Sequence, residues 1–425
     1  MTRFIGFFFR MFLSHTFGEE QVGLYQLIFP VFALCFSICS AGIETAISRC
    51  VAQKLSFGKK EAADSILYQA LFLSFFLSFA LGLLMNRNAT FLAIYILGDL
   101  RCEPLLATLS YALPFASVHC CIHGYYLGQK QTTIPALSQF IEQLSRVGAV
   151  YIMYLLYQNN HSQATIRLAV LGLVIGECFS SAFCFRCFLN TRHLRFSFVQ
   201  LWKDRHLGRE LIKLSAPLTG TRVLTNLLQS IENISIPLRL QIYGFPNSEA
   251  LGTYGVLTGM ALPCILFPTA LTNSISTMLL PTVAEIQASS KTKQLKTLIY
   301  KVILFGFSFG AVCGLLFLFL GTIIGKLLFD SELAGDFIRT LAWICPFLYA
   351  NTSLISIING LGKTSASFLI NICSLAIRIL SVWYAIPLFG MQGYLWGLLA
   401  SQLLVSISCL SCLYFYCANN AKKPE

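Results

Sequence analysis

Long, unbroken apolar runs dominate this sequence. Eleven segments are long enough to cross a hydrocarbon core about 30 Å thick, which requires roughly 20 apolar residues per helix. They cover approximately residues 22–48, 66–85, 105–127, 134–157, 166–188, 211–239, 252–282, 297–325, 337–360, 364–387 and 392–416. A twelfth segment, residues 4–14, is too short to span alone, and we expect a short first helix there, as though N-terminal residues were missing. The runs do not alternate in polarity, so they predict helices and exclude a closed β-barrel.

The composition excludes several classes of protein. Of 425 residues, 56% are hydrophobic and only 11% are charged, whereas a soluble domain carries about 25% charged residues. Too few polar side chains are present to cover a water-facing surface, which excludes a soluble enzyme, a disordered chain and a single-span anchored domain. The sequence therefore predicts an all-α integral membrane protein with about twelve transmembrane helices.

The basic residues predict the orientation of these helices. In a soluble protein a net charge of +12 would suggest nucleic-acid binding, but in membrane proteins Lys and Arg gather in cytoplasmic loops. With the N-terminus inside, the inner connections hold sixteen Lys and Arg, and the outer ones hold five, namely Arg87, Arg101, Arg167, Lys326 and Arg339. We therefore expect a multi-pass protein of the cell membrane with both termini in the cytoplasm, in contact with the lipid bilayer and not with nucleic acid.

A basic polar stretch near the middle of the chain suggests two halves. We predict an N-terminal six-helix lobe over residues 1–188 with a short first helix, a basic cytoplasmic linker over 189–210, and a C-terminal six-helix lobe over 211–425. A weak sequence similarity between the two halves supports this division, because helix two begins with Gly23-Leu24-Tyr25 and helix eight begins with Gly252-Thr253-Tyr254. Two parallel pseudo-symmetric halves are a transporter layout, with the substrate path between them.

Several charged and polar residues lie deep within the predicted spans. A charge at mid-bilayer costs about 2.5–3.5 kcal/mol on insertion scales, so it normally faces a cavity or a partner. Glu142 and Arg146 are four residues apart on helix five and can pair. Further polar residues follow one face of a helix in three places: Arg222, Asn226, Gln229 and Asn233 beside Glu232 on helix seven, Ser367, Asn371, Ser374 and Arg378 on helix eleven, and Glu44 with Ser48 and then Arg49 on helix two.

Three of these arginines suggest a polyanionic substrate. Arg146, Arg222 and Arg378 each lie about 16–21 Å from the cytoplasmic end of their helix at 1.5 Å per residue. Guanidinium groups bind phosphate oxygens bidentately, so a diphosphate is the obvious candidate. Two plainer interpretations stay open: Glu142–Arg146 can be an intrahelical pair that lowers insertion cost, and Asn and Ser stripes also hold membrane helices together.

The remaining reactive residues give no enzyme or metal motif. His119 and His123 on helix four are spaced to share a metal, but no acidic or cysteine ligand follows at a recognised spacing. The pairs Cys184/Cys187 and Cys409/Cys412 lie in membrane-like segments, where cysteine behaves as a small hydrophobe. Glu177 is deep in helix six and is a candidate for proton coupling or for pairing with an arginine of another helix. We predict no catalytic residue, no metal site, no cofactor and no enzymatic activity.

The residues resemble those of the stage V sporulation protein B family, a polysaccharide-transport branch of the superfamily that also holds multidrug and toxin extruders and lipid II flippases. The resemblance covers nearly the whole chain. It rests on Gly18 to Tyr25, on Ala41-Gly42-Ile43 with Ala46 to Arg49, on Gly124 to Lys130 followed by Ser138, Glu142 and Arg146, and most densely on Leu227 to Asn233, Ala250 to Pro263 and Leu280-Pro281. In two respects the chain departs from the family pattern: Glu44 stands where a proline is expected, and the chain stops after twelve helices where members often have two more.

This resemblance implies an exporter with two helical lobes that moves a lipid-linked oligosaccharide or a lipid II-like peptidoglycan precursor from the inner to the outer leaflet by alternating access. An undecaprenyl-diphosphate-linked glycan is the expected partner, for cell wall or spore cortex, and cell-wall synthesis enzymes are a further candidate partner. We expect substrate contacts from Arg49, Arg146, Arg222, Gln229, Asn233 and Arg378, and ion pairing or coupling by Glu44, Glu142, Glu177 and Glu232.

Two other functions stay open at this point. A cation-coupled multidrug exporter of the same architecture would favour an acidic, aromatic cavity. A non-transporting membrane scaffold for cell-wall synthesis would tolerate neutralisation of every intramembrane charge.

Overall fold

A computed structural model of the chain describes residues 2–159, 164–191, 205–288 and 292–421. These residues group into twelve longer helices, several of them broken, and one short helical segment over residues 89–97. Residues 2–17 form α1 and residues 19–56 form α2, and the two meet at Gly18, whose φ of 78° and ψ of 173° favour glycine. The others, in chain order, are α3 (Lys60–Arg87), α4 (Cys102–Ser110 and Ala112–Gly128), α5 (Thr133–Asn159), α6 (Arg167–Thr191), α7 (Arg205–Tyr243), α8 (Asn247–Leu266, continued by Thr269–Ala288), α9 (Thr292–Phe329), α10 (Glu332–Gly360), α11 (Thr364–Phe389) and α12 (Met391–Ala421).

The all-helical prediction is confirmed, since the described residues contain no strand. Within the described ranges, eight helical stretches are long and apolar enough to cross a membrane, and the two parts of α4 add a ninth that is bent by 42°. The break at Gly18 lies inside the first of these stretches, Thr2–Ser56, because α1 and α2 follow one another directly. The chain is a multi-pass membrane protein.

Large apolar side chains cover the outside of the spanning helices. On α3, Phe72, Phe76, Phe79 and Leu83 are exposed and recur at intervals of three or four residues, so they share one helix face. On α9, Phe319 and Leu327 are among the most exposed apolar residues of the chain. Such stripes would be unfavourable in water, and in a bilayer they face hydrocarbon.

Three of the twelve helices contain wider, π-helical turns, and a fourth such turn, Leu92–Leu97, lies between α3 and α4. One covers Ser37–Ala41 in α2, another covers Val256–Ala261 in α8, and a third covers Ser381–Ala385 in α11. The last two come just before Pro263 and Pro387, whose rings remove a backbone donor and clash with the preceding turn. A widened turn accommodates that clash and leaves the helix continuous.

The backbone divides into two compact units, Met1–Ile234 and Ser235–Glu425, called here the N-unit and the C-unit. The division falls within α7. The lobe boundaries expected from the sequence, at 188 and 211, stay a prediction, and residues 192–204 of the expected linker lie outside the described residues.

Glycines bring the helices of the N-unit together. A Cβ atom on Gly124 of α4 would lie 2.6 Å from the carbonyl oxygen of Glu44, and one on Gly128 would lie 2.7 Å from that of Ser48. Both carbonyls belong to α2, so the two backbones touch along a full turn. Around this contact the buried core includes Ile47, Tyr125, Tyr126, Cys184 and Phe188. Small residues at such positions are what permits close helix packing in membranes.

In the C-unit, glycines likewise allow close contact between the backbones of α9 and α10. Cβ atoms on Gly306, Gly310 and Gly314 would lie 2.8 Å from Ala350 Cα, 2.5 Å from Pro346 Cα and 2.9 Å from the Ala342 oxygen. The start of α10 is capped by Ser331, whose hydroxyl accepts a hydrogen bond from the Ala334 amide at 3.1 Å. A second core surrounds this contact and contains Ile299, Leu354, Ile358 and Cys409.

We predict that Gly310→Ala destabilises the protein, because its methyl group would meet the α10 backbone at 2.5 Å. Overpacking of this kind costs about 1–3 kcal/mol. The matched control is Gly148→Ala on α5, where a Cβ atom would meet nothing within 4 Å. Thermal unfolding in detergent should show a lower Tm for Gly310→Ala and an unchanged or higher Tm for the control. Equal Tm values for the two variants would contradict the packing described here.

Candidate functional site

The polar residues of α5 and α6 face each other because these helices pack closely. A Cβ atom on Gly172 of α6 would lie 3.0 Å from the Arg146 carbonyl oxygen, and one on Gly176 would lie 2.9 Å from that of Glu142. Glu177 follows Gly176 directly, so its carboxylate is held beside the polar segment of α5. The spacing of these two glycines therefore places three charged residues of the N-unit in one region.

Glu142 and Arg146 form an ion pair between Oε1 and Nη2, as their four-residue spacing predicts. The two side chains are 13% and 16% exposed, so the pair is largely removed from solvent. The Nε–H of Arg146 is also buried and meets no acceptor among the described residues. The guanidinium is thus only partly satisfied by its neighbour on the same helix.

Glu177 approaches a histidine of α4. Its Oε2 lies 3.4 Å from Nδ1 of His119, and the same oxygen has no hydrogen-bond partner within the described chain. The sequence suggested proton coupling or an arginine of another helix for this carboxylate. In the structure the Glu177 carboxylate contacts His119, and its role in proton coupling stays a prediction.

His119 and His123 form the centre of a buried polar cluster. Their Nε2 atoms are 2.8 Å apart and their rings meet edge to face. Ser138 Oγ of α5 lies 2.5 Å from His123 Nε2 and 3.2 Å from His119 Nε2, and Ser180 Oγ of α6 lies 3.0 Å from His119 Nε2. Three helices thus direct polar atoms to one point inside the N-unit.

This cluster contains two sets of atoms that could hold a metal ion. His119, His123 and Cys184 have one ligand atom each within 4.8 Å of one another, and so do His119, Glu142 and Glu177. All three residues of the first set are buried. The cysteine belongs to α6 and is distant in sequence from the histidines, so residue spacing alone could not reveal the first set.

The polar stripe on α7 is accessible. Arg222 and Gln229 are exposed, and Asn226 and Asn233 are half-buried on the same face. The side-chain amide of Asn226 donates to the Ala33 carbonyl at 3.5 Å. Ser230, on a neighbouring face, donates to the Pro30 carbonyl at 3.0 Å and packs the helix against α2.

The other predicted residues are placed individually. Arg49 is exposed and Glu44 is half-buried on α2, whereas Glu232 of α7 is fully buried. In the C-unit, Arg378 is half-buried on α11, where Ser367 and Ser374 are buried and Asn371 is exposed. As substrate or coupling residues they stay predictions.

Ion pairs also lie near the ends of several helices. Arg101, which is predicted to lie outside, pairs with Glu20 and with Asp99, each at 2.8 Å. The hydrogen bonds that Arg101 donates to Asp99, and then to Glu20, hold the pKa of Arg101 above its ordinary value. Lys54 of α2 pairs with Glu210 at 2.8 Å near the start of α7.

The sequence interpretation missed Ser138, Ser180 and Cys184 as parts of a site. One signal was available: Ser180 and Cys184 are four residues apart on α6 and therefore share a face. Glu177 lies three residues before Ser180, in the same strip of helix. Nothing in the sequence states which face of α4 this strip meets.

Comparison with known proteins gives matches along most of the chain. The family described as "Polysaccharide biosynthesis protein" matches residues 1–287, and the family described as "MatE" matches residues 218–384. The chain is 27% identical over 416 residues to "Stage V sporulation protein B" of Bacillus subtilis (strain 168), covering 96% of this chain and 80% of that protein.

Two solved structures share the fold. An inward-facing multidrug resistance MATE family transporter of the MOP superfamily has a TM-score of 0.74 at 16% identity, over 100% of this chain and 96% of that one. The lipid II flippase MurJ in an inward closed conformation also has a TM-score of 0.74 at 16% identity, over 97% and 86% of the two chains. At these identities the likeness concerns the fold.

We predict that Glu142→Gln destabilises the protein, because it leaves Arg146 charged, buried and unpaired. Removing one partner of a buried ion pair costs about 3–5 kcal/mol. The double variant Glu142→Gln/Arg146→Gln removes both charges and should recover most of the lost Tm in detergent. If the double variant is as unstable as the sum of the two single variants, the two side chains are not coupled.

Proposed function

Because the chain belongs to the polysaccharide biosynthesis protein family, we propose that it is a membrane flippase that moves a lipid-linked oligosaccharide from the inner to the outer leaflet by alternating access. The proposed substrate has an undecaprenyl-diphosphate carrier and a glycan head, as in a lipid II-like peptidoglycan precursor. The likeness to stage V sporulation protein B supports a role in building cell wall or spore cortex.

The observation that carries this proposal is the two-sided character of α7. Arg222 and Gln229 are exposed on one side of the helix, and Leu224, Leu227 and Ile231 are exposed on the opposite side. At about 100° per residue, the centres of the two sets are roughly half a turn apart. The leucine side suits hydrocarbon, whereas the arginine side requires water or a polar ligand at membrane depth.

The chemistry of the polar side suits a phosphate-bearing head group. Arg222 lies about 17 Å along the helix from residue 211, at 1.5 Å per residue. Its guanidinium is exposed and can bind two phosphate oxygens at once. Asn226, Gln229 and Asn233 add amide donors and acceptors along the same face, and such groups suit the hydroxyls of a glycan.

The remaining proposed roles follow the sequence prediction. Besides Arg222, the proposed substrate ligands are Arg49, Arg146, Gln229, Asn233 and Arg378, and Glu44, Glu142, Glu177 and Glu232 are proposed to pair with them or to couple an ion. The buried Nε–H of Arg146, which meets no acceptor in the described ranges, supports its inclusion. Both termini are proposed to be cytoplasmic, in the cell membrane, and cell-wall synthesis enzymes are proposed partners.

We predict that Arg222→Ala slows translocation of a lipid-linked diphosphate glycan by about 10- to 100-fold, because a hydrogen bond to a charged group contributes about 1.5–3 kcal/mol. Arg222→Lys keeps the charge without the bidentate fork and should lose less. The measurement is the flipping rate of fluorescently labelled lipid II in proteoliposomes that contain the purified full chain.

The matched control is Leu224→Ala, which changes the exposed apolar side of the same helix and should leave the rate close to that of the unmodified protein. Uptake of a cationic dye by the same vesicles tests the multidrug alternative. Dye transport without lipid flipping would refute the proposal, and so would an unchanged flipping rate for Arg222→Ala.

A further inference from the structure

We propose that His119, His123 and Cys184 form a Zn²⁺ site inside the N-unit. The proposal concerns residues with no assigned part in the transport described above. The sequence by itself predicts no metal site. That prediction considers only ligands at short sequence spacing, whereas the third ligand proposed here lies on another helix. The two histidines belong to α4 and the cysteine belongs to α6.

The number of polar atoms around the histidines is the first argument. His119 Nε2 has His123 Nε2 at 2.8 Å, Ser180 Oγ at 3.0 Å and Ser138 Oγ at 3.2 Å. A ring nitrogen carries either one proton or one lone pair, so it cannot form a full hydrogen bond with all three. Several lone pairs that converge on one point are the arrangement that a bound cation stabilises.

The two serine hydroxyls strengthen this argument, since their protons have other acceptors. Ser138 Oγ donates to the Pro135 carbonyl at 2.9 Å, and Ser180 Oγ donates to the Ser138 carbonyl at 3.2 Å. A hydroxyl whose proton goes to its carbonyl acceptor presents a lone pair to the imidazoles. In that arrangement the lone pairs around the two histidines outnumber the protons, which a bound positive ion would stabilise.

The chemistry of the donor set points to zinc. Two imidazole nitrogens and one thiolate are typical zinc ligands, and a fourth position remains for a hydroxyl or a water. With Zn–N bonds of about 2.0–2.1 Å and Zn–S bonds of about 2.3 Å, the ligand atoms of a tetrahedral site lie about 3.3–3.7 Å apart. The atoms here lie within 4.8 Å of one another, so small side-chain rotations that separate the two nitrogens and draw in the sulfur complete the site.

The surrounding charges also fit. Glu177 Oε2 lies 3.4 Å from His119 Nδ1, the nitrogen that is not directed at His123. In zinc sites a carboxylate in this place accepts the second N–H of the metal-bound histidine, orients the ring and raises its basicity. Glu177 Oε2 has no hydrogen-bond partner among the described residues, so we expect it to take this role when the metal binds. One thiolate and this carboxylate together balance a divalent ion, so the site is neutral overall, which suits a position within a membrane-embedded lobe.

Metal content of the purified protein is the first test. The full chain, with any affinity tag removed, is incubated with Zn²⁺ in detergent, separated from free metal and analysed by mass spectrometry. We expect about one tightly held Zn²⁺ per chain, the occupancy of a single tetrahedral site. An amount well below one, unchanged by Zn²⁺ supplementation, would show that the cluster is held by hydrogen bonds alone and would overturn the proposal.

Cobalt substitution identifies the ligands. Co²⁺ in a tetrahedral site with a thiolate ligand gives intense d–d bands and a sulfur-to-cobalt charge-transfer band. We expect Cys184→Ser to remove the charge-transfer band and His123→Gln to lower Co²⁺ affinity at least tenfold. The control is Cys187→Ser, three residues further along the same helix and outside the ligand set, which should keep the full spectrum.

A stability measurement guards against variants that fail to fold. Zn²⁺ should raise the Tm of the unmodified protein and of Cys187→Ser, because a ligand that binds only the folded state stabilises it. Cys184→Ser should unfold cooperatively with a Tm that does not respond to Zn²⁺. Retention of the charge-transfer band in Cys184→Ser, or an equal Tm response in both cysteine variants, would overturn the assignment. Loss of lipid flipping plays no part in this test, so it stands apart from the proposed transport.

Discussion

A charged side chain in hydrocarbon costs about 2.5–3.5 kcal/mol on insertion scales, and this penalty explains where the charges of this protein lie. The N-unit deals with it in three ways. Glu142 and Arg146 neutralise one another on α5, Glu177 is held against His119 of α4, and Arg222 is exposed on the side of α7 that is opposite to its exposed leucines. The first two arrangements are internal, whereas the third leaves a full charge accessible.

Close backbone contact makes the internal arrangements possible. In α6 the glycines at 172 and 176 let the helix approach α5 until the carbonyl oxygens of Arg146 and Glu142 come within van der Waals range, and Glu177 follows immediately. In α4 the glycines at 124 and 128 fix the helix against α2 and thereby direct its histidines to the interior. Larger residues at these positions would separate the helices and leave the polar side chains without partners.

The two proposals for this protein therefore concern different environments. Translocation of a head group is proposed at the exposed polar side of α7, where water and a ligand can enter. Zinc is proposed in a buried cluster where polar side chains of α4, α5 and α6 meet, and an ion there would link the three helices. If zinc holds this unit rigid, that rigidity suits the alternating access proposed above, because rocking motions need units that move without deforming.

The apolar runs by themselves determined the all-helical fold, the membrane environment and the approximate position of most of the helices, because a bilayer admits few alternatives to a long apolar helix. Helical spacing also determined the Glu142–Arg146 pair and the stripe from Arg222 to Asn233, since both depend only on residues a few positions apart. Contacts between helices were decided by the tertiary structure alone. In the sequence, His119 and His123 form an incomplete metal motif, and the tertiary structure shows that α6 brings Glu177, Ser180 and Cys184 beside them. Local periodicity could not predict this contact, because it does not encode which faces of two helices pack together.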